Sequence, residues 1–131
     1  MSTITRFEDL EVWQISRELC EDIFDITSSG EFCKDYGLKD QIRRSSGSVM
    51  DNIAEGFERD GNKEFKQFLS YSKGSAGEVR SQLYRALDYK YISVDRFNEL
   101  YDKAFKISGK LSNLMDYLSR ANIKGRKYKN Y

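Results

Sequence analysis

The chain has 131 residues, with 22 Lys and Arg against 21 Asp and Glu, and it contains neither proline nor histidine. This length predicts one domain, and the absence of proline permits long uninterrupted helices. The absence of histidine removes the commonest general base and the commonest metal ligand, so we expect no enzyme activity, no metal site and no other cofactor.

Apolar residues recurring at intervals of three and four predict an all-α fold with four long helices. The first helix should run from Asp9 to about Thr27, the second from Leu38 to Phe57, the third from Asn62 to Lys90, and the fourth from a Ser93 cap to about Leu118. A loop containing Phe32 and Gly37 should join the first two helices. We assign residues 1–121 to a single domain and residues 122–131 to a basic, flexible tail.

A polar stripe borders the apolar face of the second helix, and a similar stripe borders that of the third. Two such borders can face each other, and their hydrogen bonds then fix a specific helix packing. We define the polar seam as Gln41, Arg44, Ser48, Asn52, Glu55, Gly74, Ser75 and Glu78. Within it, Asn52 is expected to set the register of the helices, and Glu55 is expected to have a buried partner.

Glu55 and Glu78 also permit a second interpretation, in which they meet as paired carboxylates and one acts as a general acid. The structural alternative pairs them with Arg44, Arg59 or Arg85. Because the sequence has no histidine, no metal-binding cluster and no phosphate-binding glycine loop, we favour the structural interpretation.

Four small residues lie on one side of the third helix at steps of 4, 3 and 4: Ser70, Gly74, Gly77 and Ser81. A glycine inside a helix costs about 1 kcal/mol relative to alanine. Two glycines on one face therefore suggest that another helix approaches closely there, either within the bundle or across a subunit boundary.

Charge is divided unevenly along the chain. Residues 1–60 contain 7 Lys and Arg against 14 Asp and Glu, whereas residues 61–131 contain 15 against 7. The candidate nucleic-acid-binding residues of the basic half are Lys66, Lys73 and Arg80 on the third helix, Lys103, Lys106, Lys110 and Arg120 on the fourth, and Lys124, Arg126 and Lys127 in the tail. Such rows suit the binding of a polyanion or the assembly of subunits, although a single charged row is often only a solvated helix face.

Several separated motifs resemble the bacterial four-helix-bundle family named for proteins encoded in intervening sequences of 23S ribosomal RNA genes. These motifs are FEDLEVWQ at 7–14, QIRRSS at 41–46, NIAEG at 52–56 and GSAGE at 74–78. The resemblance implies an antiparallel up-and-down four-helix bundle and a ring-like homopentamer, with no established catalytic activity. A relative with a similar fold, the accessory protein of diversity-generating retroelements, binds nucleic acid through a basic surface.

The location of the protein is predicted from its hydropathy and cysteine content. The mean hydropathy of −0.71 argues against a membrane span, and acids within the first 14 residues argue against an export signal. Two cysteines, Cys20 and Cys33, do not make a disulfide framework, so we expect reduced thiols in the cytoplasm.

The sequence therefore favours a non-enzymatic, oligomeric bundle that binds the backbone of RNA or DNA through its basic half. The alternative is a protein–protein scaffold with no nucleic-acid role. Neither hypothesis requires a membrane or a small-molecule substrate.

Overall fold

The computed structural model describes residues 3–121 and the backbone of residues 128–129. The helices within these residues are α1 (Glu11–Ile26), α2 (Gly30–Lys34), α3 (Tyr36–Glu58), α4 (Asn62–Asp88) and α5 (Val94–Arg120), and a 3-10 turn at Phe7–Asp9 precedes α1. Two short strands, β1 (Thr3–Ile4) and β2 (Tyr128–Lys129), pair antiparallel. The fold is therefore helical as predicted, with this small strand pair as an addition. Apart from β2, the predicted tail lies outside the described residues.

The prediction of a loop between the first two long helices is wrong. Its residues form the short helix α2, and Gly37 lies within the first turn of α3. Phe32 of α2 is 1% exposed, and its ring stacks on that of Tyr91, with the ring centroids 5.0 Å apart. Burial of this aromatic side chain holds the segment between α1 and α3 against the bundle. A hydrophobic pattern within five residues could not reveal this long-range contact.

Two polar side chains fix the starts of α3 and α5. Asp35 caps α3 because its Oδ1 accepts a hydrogen bond from the Leu38 amide at 3.1 Å, and its Oδ2 accepts one from the Tyr91 hydroxyl at 2.8 Å. Both hydrogen bonds lower the pKa of Asp35, and the bond from the Leu38 amide has the larger effect. The predicted Ser93 cap of α5 is confirmed, since its Oγ accepts from the Arg96 amide at 3.1 Å.

The four long helices share one apolar core. Helix α3 packs against α1 and α4, and α5 packs against α4 and α1. Leu19 of α1, Val49 of α3, Leu83 of α4 and Leu111 of α5 are all fully buried. The apolar stripe of each helix therefore faces the others, and the polar residues remain at the borders and on the outside.

The close approach predicted at Gly74 and Gly77 is absent within the described chain. Gly74 is exposed and a Cβ there would meet no atom within 4 Å, while a Cβ on Gly77 would meet only Arg80 Nη2 at 3.8 Å. The tight contact lies instead at Gly56, where a Cβ would stand 2.6 Å from the Cβ of Phe68. The backbone of α3 therefore approaches α4 closely at the last residue of the NIAEG motif.

Helices α4 and α5 lie side by side in opposite directions. At the start of α4, the Asn62 side chain donates to the carbonyl groups of Leu118 and Ala121 at 3.3 and 3.1 Å. Near the other end, the rings of Tyr84 and Phe97 lie 4.8 Å apart. Seven of the ten predicted basic residues lie on these two helices.

Candidate nucleic-acid interface

The structure brings together the central part of the polar seam. Ser75 Oγ of α4 donates to Ser48 Oγ of α3 at 2.9 Å, and Asn52 Nδ2 donates to the Oγ and the carbonyl oxygen of Ser48, each at 2.9 Å. At one end of the seam, Arg85 Nη1 donates to Gln41 Oε1 at 3.1 Å. The bonds of Ser75 and Arg85 tie α3 to α4, whereas both bonds of Asn52 lie within α3, so none of them supports the predicted role of Asn52 in setting the register of the helices.

Other members of the polar seam lie on the surface. Arg44 pairs with Asp40 in an exposed intrahelical ion pair, and Glu78 is exposed with no hydrogen bond or ion pair in the described part of the chain. The side chain of Glu55 is 55% exposed and pairs with Arg59 at 3.4 Å. The prediction that Glu55 has a buried partner is therefore wrong, because both side chains of this ion pair are about half exposed.

Two rows of cations share the same seven-residue spacing but differ in their partners. The α5 row consists of Arg96, Lys103 and Lys110, and it faces α1. Lys103 lies 2.6 Å from Asp22, and Lys110 lies 2.8 Å from Glu11. Arg96 lies 3.3 Å from Asp25 and 3.6 Å from Asp22. The acidic face of α1 therefore neutralises the α5 row.

The pKa values at this contact follow from the ion pairs. Burial lowers the pKa of Lys103, but its hydrogen bond to Asp22 and the charges of Asp22 and Glu18 outweigh burial, so the pKa lies above the ordinary 10.5. The hydrogen bond from Lys110, followed by the charge of that residue, lowers the pKa of Glu11. Both groups remain charged over the physiological range of pH, and the α1–α5 contact is a stable electrostatic pairing.

The α4 row consists of Lys66, Lys73 and Arg80, and it forms no ion pair with any described residue. Lys66 Nζ donates to the hydroxyl of Ser119 at 3.1 Å, and Lys73 is exposed without a hydrogen bond among the described residues. Seven residues of α-helix advance about 10.5 Å, so the row presents cations at regular intervals along the groove between α4 and α5.

Aromatic rings accompany the α4 row at one end. The Arg80 guanidinium carbon lies 5.8 Å from the ring centroid of Tyr101 and 5.4 Å from that of Phe105. Phe105 is 58% exposed and Tyr84 is 49% exposed, although both belong to one aromatic cluster with Tyr101. The result is a groove with cations, exposed aromatic faces and no acidic partner for its cations within the described residues.

The remaining predicted cations lie elsewhere. Lys106 is exposed beside the α1–α5 contact, and Arg120 is exposed at the end of α5, where its Nε donates to the Asp116 carbonyl at 3.2 Å. Lys124, Arg126 and Lys127 lie outside the described residues. The structure therefore gathers only Lys66, Lys73 and Arg80 into one unpaired row.

Sequence reasoning missed the aromatic and hydroxyl residues that α5 contributes to the groove. Tyr101, Phe105 and Ser108 lie one helical turn apart, and this spacing was available in the sequence. The same spacing is typical of core residues, however, and only the partial exposure of Phe105 distinguishes these residues from a core stripe.

The thiol of Cys20 is held within the bundle. Both cysteines are free thiols, and Cys20 Sγ donates to the Ser46 carbonyl oxygen at 3.1 Å. Burial raises the pKa of Cys20 to about 11, which disfavours the nucleophilic thiolate.

No group of three or more acidic or cysteine side chains in the described residues is arranged to hold a metal ion. Over the same part of the chain, none of the helices has the length and apolar character needed to cross a membrane.

Comparison with known proteins identifies relatives by family and by fold. A family model described as "23S rRNA-intervening sequence protein" matches residues 8–113. A crystal structure of a protein of unknown function from the S23 ribosomal protein family of Bacteroides thetaiotaomicron superposes with a TM-score of 0.73. It is 20% identical in sequence, and the alignment covers 79% of this chain and 97% of that chain. No curated protein matches the chain.

Proposed function

The chain belongs to the 23S rRNA-intervening sequence protein family, and from this premise we propose that it is a non-enzymatic, oligomeric helical bundle that binds the backbone of RNA or DNA. The binding surface in this proposal is the α4 row of Lys66, Lys73 and Arg80. The observation that carries it is the absence of acidic partners for this row within the described residues, whereas the equally spaced α5 row is paired with α1.

The charge pattern supports phosphate contact at the α4 row more than at the α5 row. A cation that already pairs with a carboxylate must break that pair before it neutralises a phosphate, so it contributes less to binding. Lys73 has no such competitor, and the exposed rings of Tyr84 and Phe105 beside the row offer faces for stacking bases. We therefore omit Lys103 and Lys110 from the proposed binding surface and retain Lys106, Arg120 and the tail cations as possible additions.

The architecture in this proposal is an antiparallel up-and-down four-helix bundle formed by α1, α3, α4 and α5. Its support is the set of contacts in which each long helix packs against two others, together with the opposite directions of α4 and α5. We further propose that such bundles assemble into a ring-like homo-oligomer, with a pentamer as the form implied by the resemblance described above.

The ring hypothesis predicts that light scattering will give a mass several times the 15.3 kDa of one chain. The exposed small-residue face of α4 is the proposed contact, because Gly74 leaves open space above the helix backbone. Gly74→Gln should therefore reduce the mass towards one chain without loss of helical content. Gly47→Gln places the same side chain in open space on α3 and serves as the control. A wild-type mass near 15 kDa at micromolar concentrations would contradict the ring.

The nucleic-acid hypothesis predicts a steep dependence of affinity on salt. Each phosphate contact adds a slope of about −0.9 for duplex DNA, or about −0.7 for a single strand, to the plot of log affinity against log salt. Replacing Lys66, Lys73 and Arg80 by Gln should therefore flatten the slope by roughly 2–3. Fluorescence anisotropy with labelled RNA and DNA measures this change, and light scattering at each salt concentration confirms a constant oligomeric state.

The matched control replaces the three cations of the α5 row, Arg96, Lys103 and Lys110, by Gln. This variant should lower thermal stability, because it breaks ion pairs with α1, but it should change the salt slope by less than the α4 variant. For the tail, substitution of Lys124, Arg126 and Lys127 by Gln is preferable to deletion, because deletion would also remove the strand that pairs with β1. No binding of the intact protein to RNA or DNA at low salt would reject the proposal, as would equal slopes for the two row variants.

A protein–protein scaffold is the second candidate. It is favoured by the exposed small-residue face of α4 and by the half-exposed Tyr71 on the same helix. A scaffold that binds through apolar contacts should show weak salt dependence, so the same titration separates the two hypotheses.

A further inference from the structure

A small cavity opens between α4 and α5 beside the α4 row. Its volume is about 260 Å³, and it is lined by Lys73, Arg80, Phe105, Ser108, Gly109 and Ser112. None of these residues is acidic. Two cationic side chains therefore lie at its wall, while most of the surface that lines it is apolar.

Two buried polar groups at this cavity have no hydrogen-bond partner among the described residues. They are the Ser108 hydroxyl oxygen and Nε of Arg80. Ser108 is only 8% exposed, so its hydroxyl is withdrawn from bulk water. Other helical serines of this chain donate to the carbonyl group four residues earlier, as Ser16 does to Val12 and Ser119 does to Met115. Ser108 makes no such bond, so its enclosed hydroxyl has no partner among the described residues and must turn towards the cavity before it can meet a ligand.

The donor set defines the chemistry of that ligand. Arginine and lysine side chains can only donate hydrogen bonds, and a serine hydroxyl can donate one. A group that accepts several hydrogen bonds and carries negative charge satisfies all of them, and a phosphoryl group has this character. The guanidinium of Arg80 is also held against the rings of Tyr101 and Phe105, so it is oriented before a ligand arrives.

The dimensions of the cavity fit a small anion better than a larger organic molecule. A water molecule occupies about 30 Å³ of the liquid, so the cavity has room for roughly eight or nine waters. It is slightly smaller than the pockets of about 300–1,000 Å³ that enclose drug-sized ligands. One phosphoryl group with residual water fills such a space.

We infer that the α4–α5 cavity is a phosphate-binding site in which Arg80, Lys73 and the buried Ser108 hydroxyl hold one phosphoryl group. The inference rests on the proposed function only for the source of the phosphoryl group. Under that function the group belongs to a nucleic-acid strand, and the neighbouring base lies against Phe105. A free phosphate or mononucleotide offers the same chemistry, and the experiment distinguishes these sources.

The test uses NMR of the full-length protein, with the Nε–Hε signal of Arg80 as the reporter. Inorganic phosphate should shift this signal in a saturable manner, whereas chloride at the same ionic strength should not. Ser108→Ala should weaken phosphate binding roughly tenfold, through loss of one charge-assisted hydrogen bond. The same variant should raise the melting temperature in phosphate-free buffer, because it removes a buried hydroxyl that has no partner.

These opposite effects separate a ligand site from a structural role. Ser81→Ala, at an exposed position of α4, is the matched control: it should leave phosphate binding unchanged and raise the melting temperature only by the helix propensity of alanine, which is less than the rise expected for Ser108→Ala. Gly109→Leu provides a second variant, because a Cβ at Gly109 meets open space and a larger side chain there should obstruct the cavity. It should abolish the phosphate-induced shift while the helical content is retained.

Each outcome bears on the inference. A saturable shift that Ser108→Ala weakens supports the site, and competition between phosphate and a 5′-hydroxyl oligonucleotide then identifies the strand as a source. Competition by a nucleoside monophosphate, with no oligonucleotide binding, supports the site but rejects the proposed function. An unchanged Arg80 signal, or equal phosphate binding by wild type and Ser108→Ala, overturns the site. The proposed function survives that result if oligonucleotide binding retains its salt dependence.

Discussion

Phe65→Ala is expected to lower the free energy of unfolding by about 3–5 kcal/mol, which corresponds to a fall in melting temperature of roughly 10–20 °C. Phe65 is fully buried in α4, and its ring meets that of Phe57 edge to face at a centroid distance of 5.8 Å. Removing the ring takes away its burial and leaves a cavity in a core that the surrounding helices cannot fully close. Chemical denaturation monitored by circular dichroism gives the free energy directly.

Phe105→Ala is the matched control for this prediction. The chemical change is the same, but Phe105 is 58% exposed on α5, so its replacement should change the free energy of unfolding by only about 0.5 kcal/mol. Equal losses for the two variants would contradict the assignment of Phe65 to the core and of Phe105 to the surface groove.

Gly56→Ala is expected to destabilise the protein by about 1–3 kcal/mol, although alanine is the better helix former. A Cβ at this position would lie 2.6 Å from the Cβ of Phe68 and 3.1 Å from Cδ1 of Phe65. The first of these atoms is fixed to the backbone of α4, so α3 and α4 would have to move apart. Thermal and chemical denaturation should both show the loss.

Gly47→Ala tests whether this cost comes from the contact rather than from the loss of a helical glycine. Gly47 lies in the same helix, and a Cβ there meets no atom within 4 Å. This variant should gain about 0.5–1 kcal/mol through helix propensity. Changes of the same sign at the two glycines would show that α3 and α4 are not closely packed at Gly56.

The NIAEG motif acquires a physical explanation from these contacts. Asn52 bonds to Ser48 within the polar seam, Ile53 is fully buried, and Gly56 permits the close approach of α4. Glu55 takes part only in an exposed ion pair. The motif therefore combines two residues that pack against the core or α4 with one that bonds within α3 and one at the surface.

The four long helices were predictable from the sequence because their apolar residues repeat with the period of an α-helix. The predicted ends of these helices lie within two residues of the observed ones, whether or not a side chain caps the helix. The short helix α2 was missed because it depends on the burial of Phe32 beneath Tyr91, a residue almost sixty positions away. Long-range burial of this kind leaves no periodic signal in the local sequence.

The glycines also show that local spacing does not predict which helices come into contact. The pattern on the third helix correctly identified a face of small residues, but the face is open in the folded chain, and the close contact is at Gly56 on the neighbouring helix. Spacing places residues on a face of a helix. Which face meets another helix, and how closely, depends on the packing of all four.

The two cation rows show most clearly which properties depend on the sequence and which depend on the tertiary structure. The sequence by itself determined that Lys66, Lys73 and Arg80 lie on one side of α4, and that Lys103 and Lys110 lie on one side of α5, because a seven-residue interval is almost two helical turns. Only the tertiary structure decided that the α5 row faces the acids of α1 while the α4 row faces a groove without an acidic partner in the described chain. The physical reason is that Coulomb attraction depends on distance in space, and charges far apart in sequence become neighbours only when the helices pack.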